Sequence, residues 1–410
     1  MNLKKIGSGF LVLFFSFIFL NGIDIKFCYA ADVNAVSVAK NKLKNKRSPQ
    51  GVTDFKNSQA WNPPNYSNQK IENYNSKSFA TPLPLKDEVQ FWIKIYTQYT
   101  TKQGVFHLSG DTNHILGEID LTDVYLNPQW GPIRREKESE ILIERQRKNL
   151  AKKNNIKNAK SIRLQMGLKD RMETAIFESG KYLPMMEKIF AERGLPKELT
   201  RVVFVESSFN PLARSKVGAS GLWQIMPAVG RKYKYLQKNY DKRDHPVYAT
   251  KLAADIFKQN YNILESWPLA ITSYNFGVGR MLKVRRKMGT TDATQIFESE
   301  NVKKHIGFAS RNFYATFLAA LQVESQANLY FPEPFRIAKA LKLNEIYLAK
   351  DTSYNELIKK YDLKPKQFLD MNVHVESRLL KTGQIIPKGT LISVPGSGLL
   401  DTKTAENSSK

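Results

Sequence analysis

Through most of the middle of the chain, apolar residues recur every three or four positions. That is the period of helices that bury one face. The first such run is Asp87 to Tyr99, where Val89, Phe91, Trp92, Ile95 and Tyr96 predict a helix. Residues 100–130 mix Gly, Asp and Asn with short apolar runs and fit no single period. Arg134 to Lys153 is dense in Arg, Lys and Glu, which predicts an exposed helix laced with charge pairs. From about Ile162 to Leu329 the pattern stays helical. Pro196 opens one helix, with Leu199, Val202, Val203 and Phe204 on its apolar side, and the run ends at Glu206 to Pro211. Gly218 and Gly221 mark a turn. His245-Pro246 starts the next helix, and Trp267 to Tyr274 forms another that Gly277 and Gly279 end. No βαβ alternation appears, so the fold class expected is mainly α.

After Pro334 the pattern changes. Ile346 to Leu348 and Thr390 to Val394 read as short strands, and Tyr354 to Tyr361 and Pro365 to Met371 as short helices. Together they predict a small β-α-α-β unit. The expected organisation is a signal peptide over 1–30, a basic polar linker over 31–85 and a helical N-terminal extension over 86–160. A main globule over 161–331, the small unit over 335–396 and a polar tail over 397–410 complete it. The signal rests on Lys4 and Lys5, the apolar run Phe10 to Leu20, and small residues at Ala30-Ala31. That run is shorter than the roughly 20 residues of a bilayer span. Phe27 before Cys28 speaks against lipidation, and an uncleaved segment would serve as an anchor. An exported, periplasmic protein is the expectation.

Composition adds a partner class. The 410 residues carry 63 Lys+Arg against 38 Asp+Glu, a formal net charge of +25, which favours polyanions such as nucleic acid, an anionic membrane face or an acidic wall polymer. Hydrophobic residues at 42% are enough for a core and exclude a wholly disordered chain. A single cysteine excludes an intrachain disulfide framework and a Cys-based zinc site. The five histidines form no HExxH, and no GxSxG, Walker loop or post-strand GxGxxG occurs. Basic runs such as Arg285-Arg286-Lys287 read as a solvated face rather than a nucleic-acid site.

The candidate chemistry centres on Glu206. A carboxylate at the end of an apolar helix loses solvation and faces the negative end of the helix dipole; both raise its pKa. A carboxyl kept protonated near neutral pH can donate a proton to a glycosidic oxygen. The plainer alternative is a solvent-facing Glu. Ser215, Gln224, Met226, Tyr274 and Asn275 supply the amides, hydroxyls and flat apolar surfaces that a sugar cleft needs. Singly, each also suits ordinary packing.

Residues 206–227, from Glu206-Ser-Ser-Phe-Asn-Pro to Gly221-Leu-Trp-Gln224-Ile-Met226-Pro, resemble the signature of soluble-type, goose-lysozyme-like lytic transglycosylases. Ala270 to Arg280, containing Ser-Tyr274-Asn275-Phe-Gly, resembles their second motif, and Arg243-Asp244-His-Pro246 the stretch between. Lys181 to Leu199 is similar to their lead-in, so the likeness covers roughly 162–330. The resemblance implies a lysozyme-like α-rich catalytic domain acting on peptidoglycan strands, with no metal or cofactor. It places Glu206 as the catalytic acid and Ser215, Gln224, Met226, Tyr274 and Asn275 along the glycan cleft. It also implies cleavage between N-acetylmuramic acid and N-acetylglucosamine that closes a 1,6-anhydro ring. One departure stands out. Where the family often has Glu-Thr-x-x-Tyr-Val, this chain has Ala309-Ser310-Arg311-Asn312-Phe313-Tyr314, so a cleft hydroxyl is missing unless Tyr314 replaces it. The C-terminal unit resembles a LysM module, which binds N-acetylglucosamine chains, though Lys350-Asp351 stands where the usual Gly-Asp pair is expected. Two alternatives remain. An inverting muramidase would need a second carboxylate, for which Asp241, Asp244, Asp255 and Glu265 are the candidates. A non-cleaving wall-binding protein would keep the cleft without the reaction.

Overall fold

The computed structural model describes residues 79–303, 306–331 and 336–396. The expected signal peptide, the 397–410 tail and nearly all of the 31–85 linker lie outside them. Helix α1 (Lys86–Thr97) buries Val89, Trp92, Ile95 and Tyr96 along one side, as its period predicts. Strands β1 (Gln103–Leu108) and β2 (Asp111–Asp120) form an antiparallel hairpin around Ser109-Gly110. Short α2 (Thr122–Leu126) leads to α3 (Pro132–Lys153), a mostly exposed helix with Pro at its first position and an Arg147–Glu144 pair. Strand β3 (Ile162–Met166) returns antiparallel to β1, completing the sheet order β2-β1-β3.

The helical extension expected over 86–160, with its ambiguous stretch over 100–130, and the helical pattern expected from Ile162 are therefore corrected by this sheet. Ile162 and Leu164 alternate with polar Arg163, a strand period too short to stand out beside the longer helical one. Phe106, Ile162 and Leu164 bury with Leu150 and Ala151 of α3 in a small core of their own. Nor is α1 an extension. Its residues belong to the main core, and Trp92 Nε1 donates to Asn312 Oδ1 of α13 (Phe308–Ser325) at 3.2 Å.

The main globule continues with α4 (Lys169–Ser179), α5 (Leu183–Glu192), a short 3-10 turn over Lys197–Arg201, and α6 (Val202–Ser207). Then come α7 (Pro227–Lys232), α8 (Pro246–Leu264), α9 (Trp267–Phe276) and α10 (Val278–Met288). Helices α11 (Ala293–Glu298) and α12 (Glu300–Lys303) precede α13, and α14 (Ala327–Tyr330) follows it. Pro246 sits at the first position of α8, where its missing N–H costs nothing, and His245 Nδ1 accepts from Val247 N. Arg201 lies buried among these helices, paired with Glu187 of α5 and, at 3.1 Å, Glu324 of α13.

The C-terminal unit comprises β4 (Leu343–Tyr347), β5 (Thr352–Ser353), α15 (Tyr354–Lys360), α16 (Pro365–Met371), β6 (Ile385–Ile386) and β7 (Leu391–Pro395). β4 pairs antiparallel with β7, and β5 with β6. Leu357, Phe368, Ile386, Ile392 and Val394 form its own core. The chain is mainly α, as expected. Among the described residues, no helix is long and apolar enough to cross a membrane.

Candidate active site

Helix α6 is wholly buried, and Glu206 in its last turn is 5% exposed. Ser208 ends the helix in the left-handed region with φ 50°, and Phe209 continues there with φ 56°. Neither is glycine, so this backbone is strained and must be held by packing. Phe209 supplies the hold. Its buried ring meets Phe204 edge-on at 4.7 Å and stacks on Tyr182 at 6.4 Å. Burial pushes the Glu206 carboxyl up to about 8. The last turn of a helix adds nothing to favour a negative charge there. Burial first, and the Glu206 carboxyl second, hold the Tyr274 phenol well above its ordinary value.

The loop over 213–226 packs against this helix end. Ser207 Oγ donates to Leu222 O at 2.7 Å, fastening the residue after Glu206 to the loop. Trp223 stacks on Phe190 of α5 at 5.6 Å, and its Nε1 donates to Thr250 Oγ1 of α8 at 2.8 Å. Tyr274 of α9 stacks on Phe257 of α8 at 4.8 Å and donates its hydroxyl proton to Trp223 O at 2.8 Å. Gln224 is buried with φ 46°; its Nε2 donates to Ala213 O and Gly221 O, while its Oε1 has no partner. Among the described residues, three of the seven non-glycine residues with positive φ thus lie in the one segment that contains Glu206. Ser215 Oγ accepts from Ala219 N at 2.8 Å and shapes the turn. Gly221 needs its φ of 74°, and a Cβ there would lie 2.6 Å from Arg243 O.

The sequence-predicted residues therefore fall into two groups. Tyr274 is tied to the loop that carries Gln224 through Trp223 O, and Glu206 is tied to the same loop through the bond from its neighbour Ser207 to Leu222 O. Ser215 belongs to the same loop, and Met226 leaves it, half-buried, as the N-cap of α7. Asn275 follows Tyr274, but its Oδ1 accepts from Ser310 Oγ of α13 at 2.6 Å. Sequence reasoning quoted Ser310 and Arg243-Asp244 within longer runs and weighed Asp244 only as a second carboxylate; it gave neither Ser310 nor the loop's two clamps the roles seen in the structure. Arg243 Nη1 donates to Gly218 O at 2.8 Å and Ile225 O at 3.0 Å. Asp244 accepts from Arg214 at 3.0 and 2.6 Å and from Ser220, and burial raises it to about 6. An Arg-Asp pair directly before an Asx-like helix start was the available signal. Phe313 and Tyr314 are both buried in the main core, with the Tyr314 ring stacked on Phe317 at 6.1 Å.

Residues 185–297 match the family described as Transglycosylase SLT domain. The chain carries a transglycosylase SLT domain. All six sequence-predicted residues lie inside it, whereas Ser310, α1 and the sheet lie outside the matched stretch. The chain is 26% identical over 203 residues to membrane-bound lytic murein transglycosylase D of Escherichia coli (strain K12), covering 44% of this chain and 45% of the relative. It is 29% identical over 119 residues to membrane-bound lytic murein transglycosylase C of Actinobacillus pleuropneumoniae serotype 5b (strain L20), covering 25% and 33%. It thus spans less than half the length of these curated relatives. Among solved structures, the 70 kDa soluble lytic transglycosylase of Escherichia coli aligns at 19% identity and TM-score 0.30, covering 38% of this chain and 26% of that one. An inactive mutant of the lytic transglycosylase Slt from Pseudomonas aeruginosa aligns at 23% identity and TM-score 0.29, covering 37% and 25%.

Proposed function

We propose that this chain is an exported lytic transglycosylase of peptidoglycan, with Glu206 as acid and then base. The observation that carries the reading is a buried carboxyl in the SLT domain, raised to about 8 by desolvation. At neutral pH it holds the proton that a leaving glycosidic oxygen needs. Glu206 protonates the oxygen linking N-acetylmuramic acid to N-acetylglucosamine. The substrate's acetamido oxygen stabilises the cationic sugar in place of a second carboxylate. Glu206, now ionised, takes the proton from the C6 hydroxyl, whose oxygen closes onto C1. Gln224 Oε1, a buried acceptor with no protein partner, is suited to a sugar hydroxyl or amide. Ser215, Met226, Tyr274 and Asn275 line the same cleft in this reading, and the basic chain favours the carboxylate-bearing wall polymer.

The four carboxylates weighed for an inverting muramidase are all engaged. Asp241 pairs with Arg243, Asp244 with Arg214, Asp255 with Arg193 and Glu265 with Arg285. An ion-paired carboxylate is a poor base for water. The LysM-like unit would add wall affinity by binding glycan.

The reading is tested by release of soluble fragments from purified sacculi. Release supports it, while binding to sacculi without release makes the chain a wall-binding protein. Because Glu206 must start protonated, kcat/KM is expected to hold up to about pH 8 and to fall roughly tenfold per unit beyond. A profile flat to pH 10 would remove Glu206 as the acid. Ser310→Ala frees Asn275 and is expected to raise KM about fivefold with little change in kcat, the effect of one hydrogen bond. Initial rates over a range of glycan concentrations check it.

A further inference from the structure

The C-terminal unit is joined to the main globule by an ordered seam. Tyr240 and Val375 form an antiparallel bridge, flanked by Asp241 N donating to His374 O at 2.7 Å and Glu376 N donating to Asn239 O at 2.9 Å. Tyr240 packs onto the C-terminal core. Lys242 Nζ donates to Tyr347 Oη of β4 at 3.1 Å and lies 4.3 Å from the centre of the Tyr248 ring. His245 is fully buried. Its Nδ1 accepts from Val247 N, so the neutral ring carries its proton on Nε2, which faces Ser393 Oγ of β7 at 3.2 Å. Its ring meets that of His374 at 4.3 Å. Polar groups buried this way hold one arrangement, since any slip leaves donors and acceptors unpaired.

The seam reaches the candidate active site through two residues. Asp241, whose N–H holds the C-terminal unit, accepts from Arg243 Nε and Nη2 through its carboxylate. Arg243 Nη1 in turn grips Gly218 O and Ile225 O. Gly218 lies three residues past Ser215, and Ile225 separates Gln224 from Met226. We infer that the C-terminal unit is a brace for the cleft loop over 213–226, with Asp241 and Arg243 as the positioning residues that pass its hold to Ser215, Gln224 and Met226. This role is separate from any glycan binding by the unit, which would act on wall affinity and leave the loop alone. The effect on turnover rests on the transglycosylase reading above; the effect on the loop does not.

Glu376→Pro in the full chain is the test. Glu376 has φ −51°, close to proline's own value, and an exposed side chain, so the substitution removes one seam N–H with little strain. Amide hydrogen exchange over 213–226 is expected to rise about tenfold, while that of Leu357, Phe368 and Ile392 stays unchanged. Turnover of a peptidoglycan tetrasaccharide, too short to engage two units, is expected to fall about tenfold with an unchanged thermal midpoint. Asp241→Asn keeps the seam N–H but weakens the grip on Arg243, and is expected to give the same pattern at about threefold; it serves if the proline variant does not fold. Unchanged exchange over 213–226 in both variants overturns the brace, as does a loss confined to sacculus binding. If the unaltered chain cleaves no glycan, the functional reading fails, and the exchange experiment still decides the brace.

Discussion

Replacing Glu206 with Gln is expected to lower glycan turnover by at least about 10³-fold, because one residue serves as both acid and base and each role is worth about 10²–10⁴-fold. The same substitution should make the protein more stable in alkaline solution. The Glu206 pKa is raised from an ordinary 4.5 to about 8 on folding, by burial. Below pH 4.5 the group is protonated in both states and contributes no difference. Between 4.5 and 8 the unfolded chain ionises and the folded one does not, so stability falls as pH rises. Above 8 the cost is complete. Gln carries no such cost, so the variant's thermal midpoint should exceed the unaltered chain's at pH 8–9, and the gap should shrink as pH falls towards 4.5. Calorimetry at both ends checks this. An equal gap at both pH values would mean that Glu206 is not desolvated, and the basis for its acid role would go with it.

Arg201→Leu is expected to cost about 3–5 kcal/mol of stability, the usual effect of removing one partner from a buried ion pair. Arg201 is 2% exposed and bridges Glu187 of α5 and Glu324 of α13. Its backbone is the N-cap of α6, so it fixes where the Glu206 helix enters the core. The loss reflects two carboxylates left facing each other rather than the net worth of the pair, so Arg201→Leu combined with Glu324→Gln should recover part of it. Urea denaturation of the single and double variants measures both. A single-variant cost below 1 kcal/mol would mean the cluster is hydrated.

The helical core was legible because long amphipathic helices repeat their apolar face many times. Val89, Trp92 and Ile95, or Leu252 and Ile256, announce themselves. The two helices and the outer strand pair of the C-terminal unit were legible for a similar reason, since short apolar runs there lie between turn residues, but the two-residue strands β5 and β6 were too short to show. The β2-β1-β3 sheet was not. Gln103 to Leu108 is too short to show a period, and its partner Ile162 to Met166 lies more than fifty residues away. The site divides along the same line. Glu206 at a helix end and Tyr274-Asn275 before a glycine are local patterns. Ser310 holding Asn275, Arg201 between two glutamates, and Arg243 clamping Gly218 and Ile225 depend on contacts that only the fold creates. The altered run at Ala309 and Phe313 was visible as a departure, but only the fold places Phe313 and Tyr314 in the core.

The central claim is that Glu206 drives ring closure by the substrate's own C6 oxygen rather than attack by water. It is tested most directly by digesting purified sacculi with the full chain, beside Glu206→Gln, and weighing the unreduced products by mass spectrometry. The expected result is muropeptides one water lighter than hydrolytic products, ending in 1,6-anhydro rings and absent with the variant. Products with free reducing ends, or release that survives Glu206→Gln, would contradict the account.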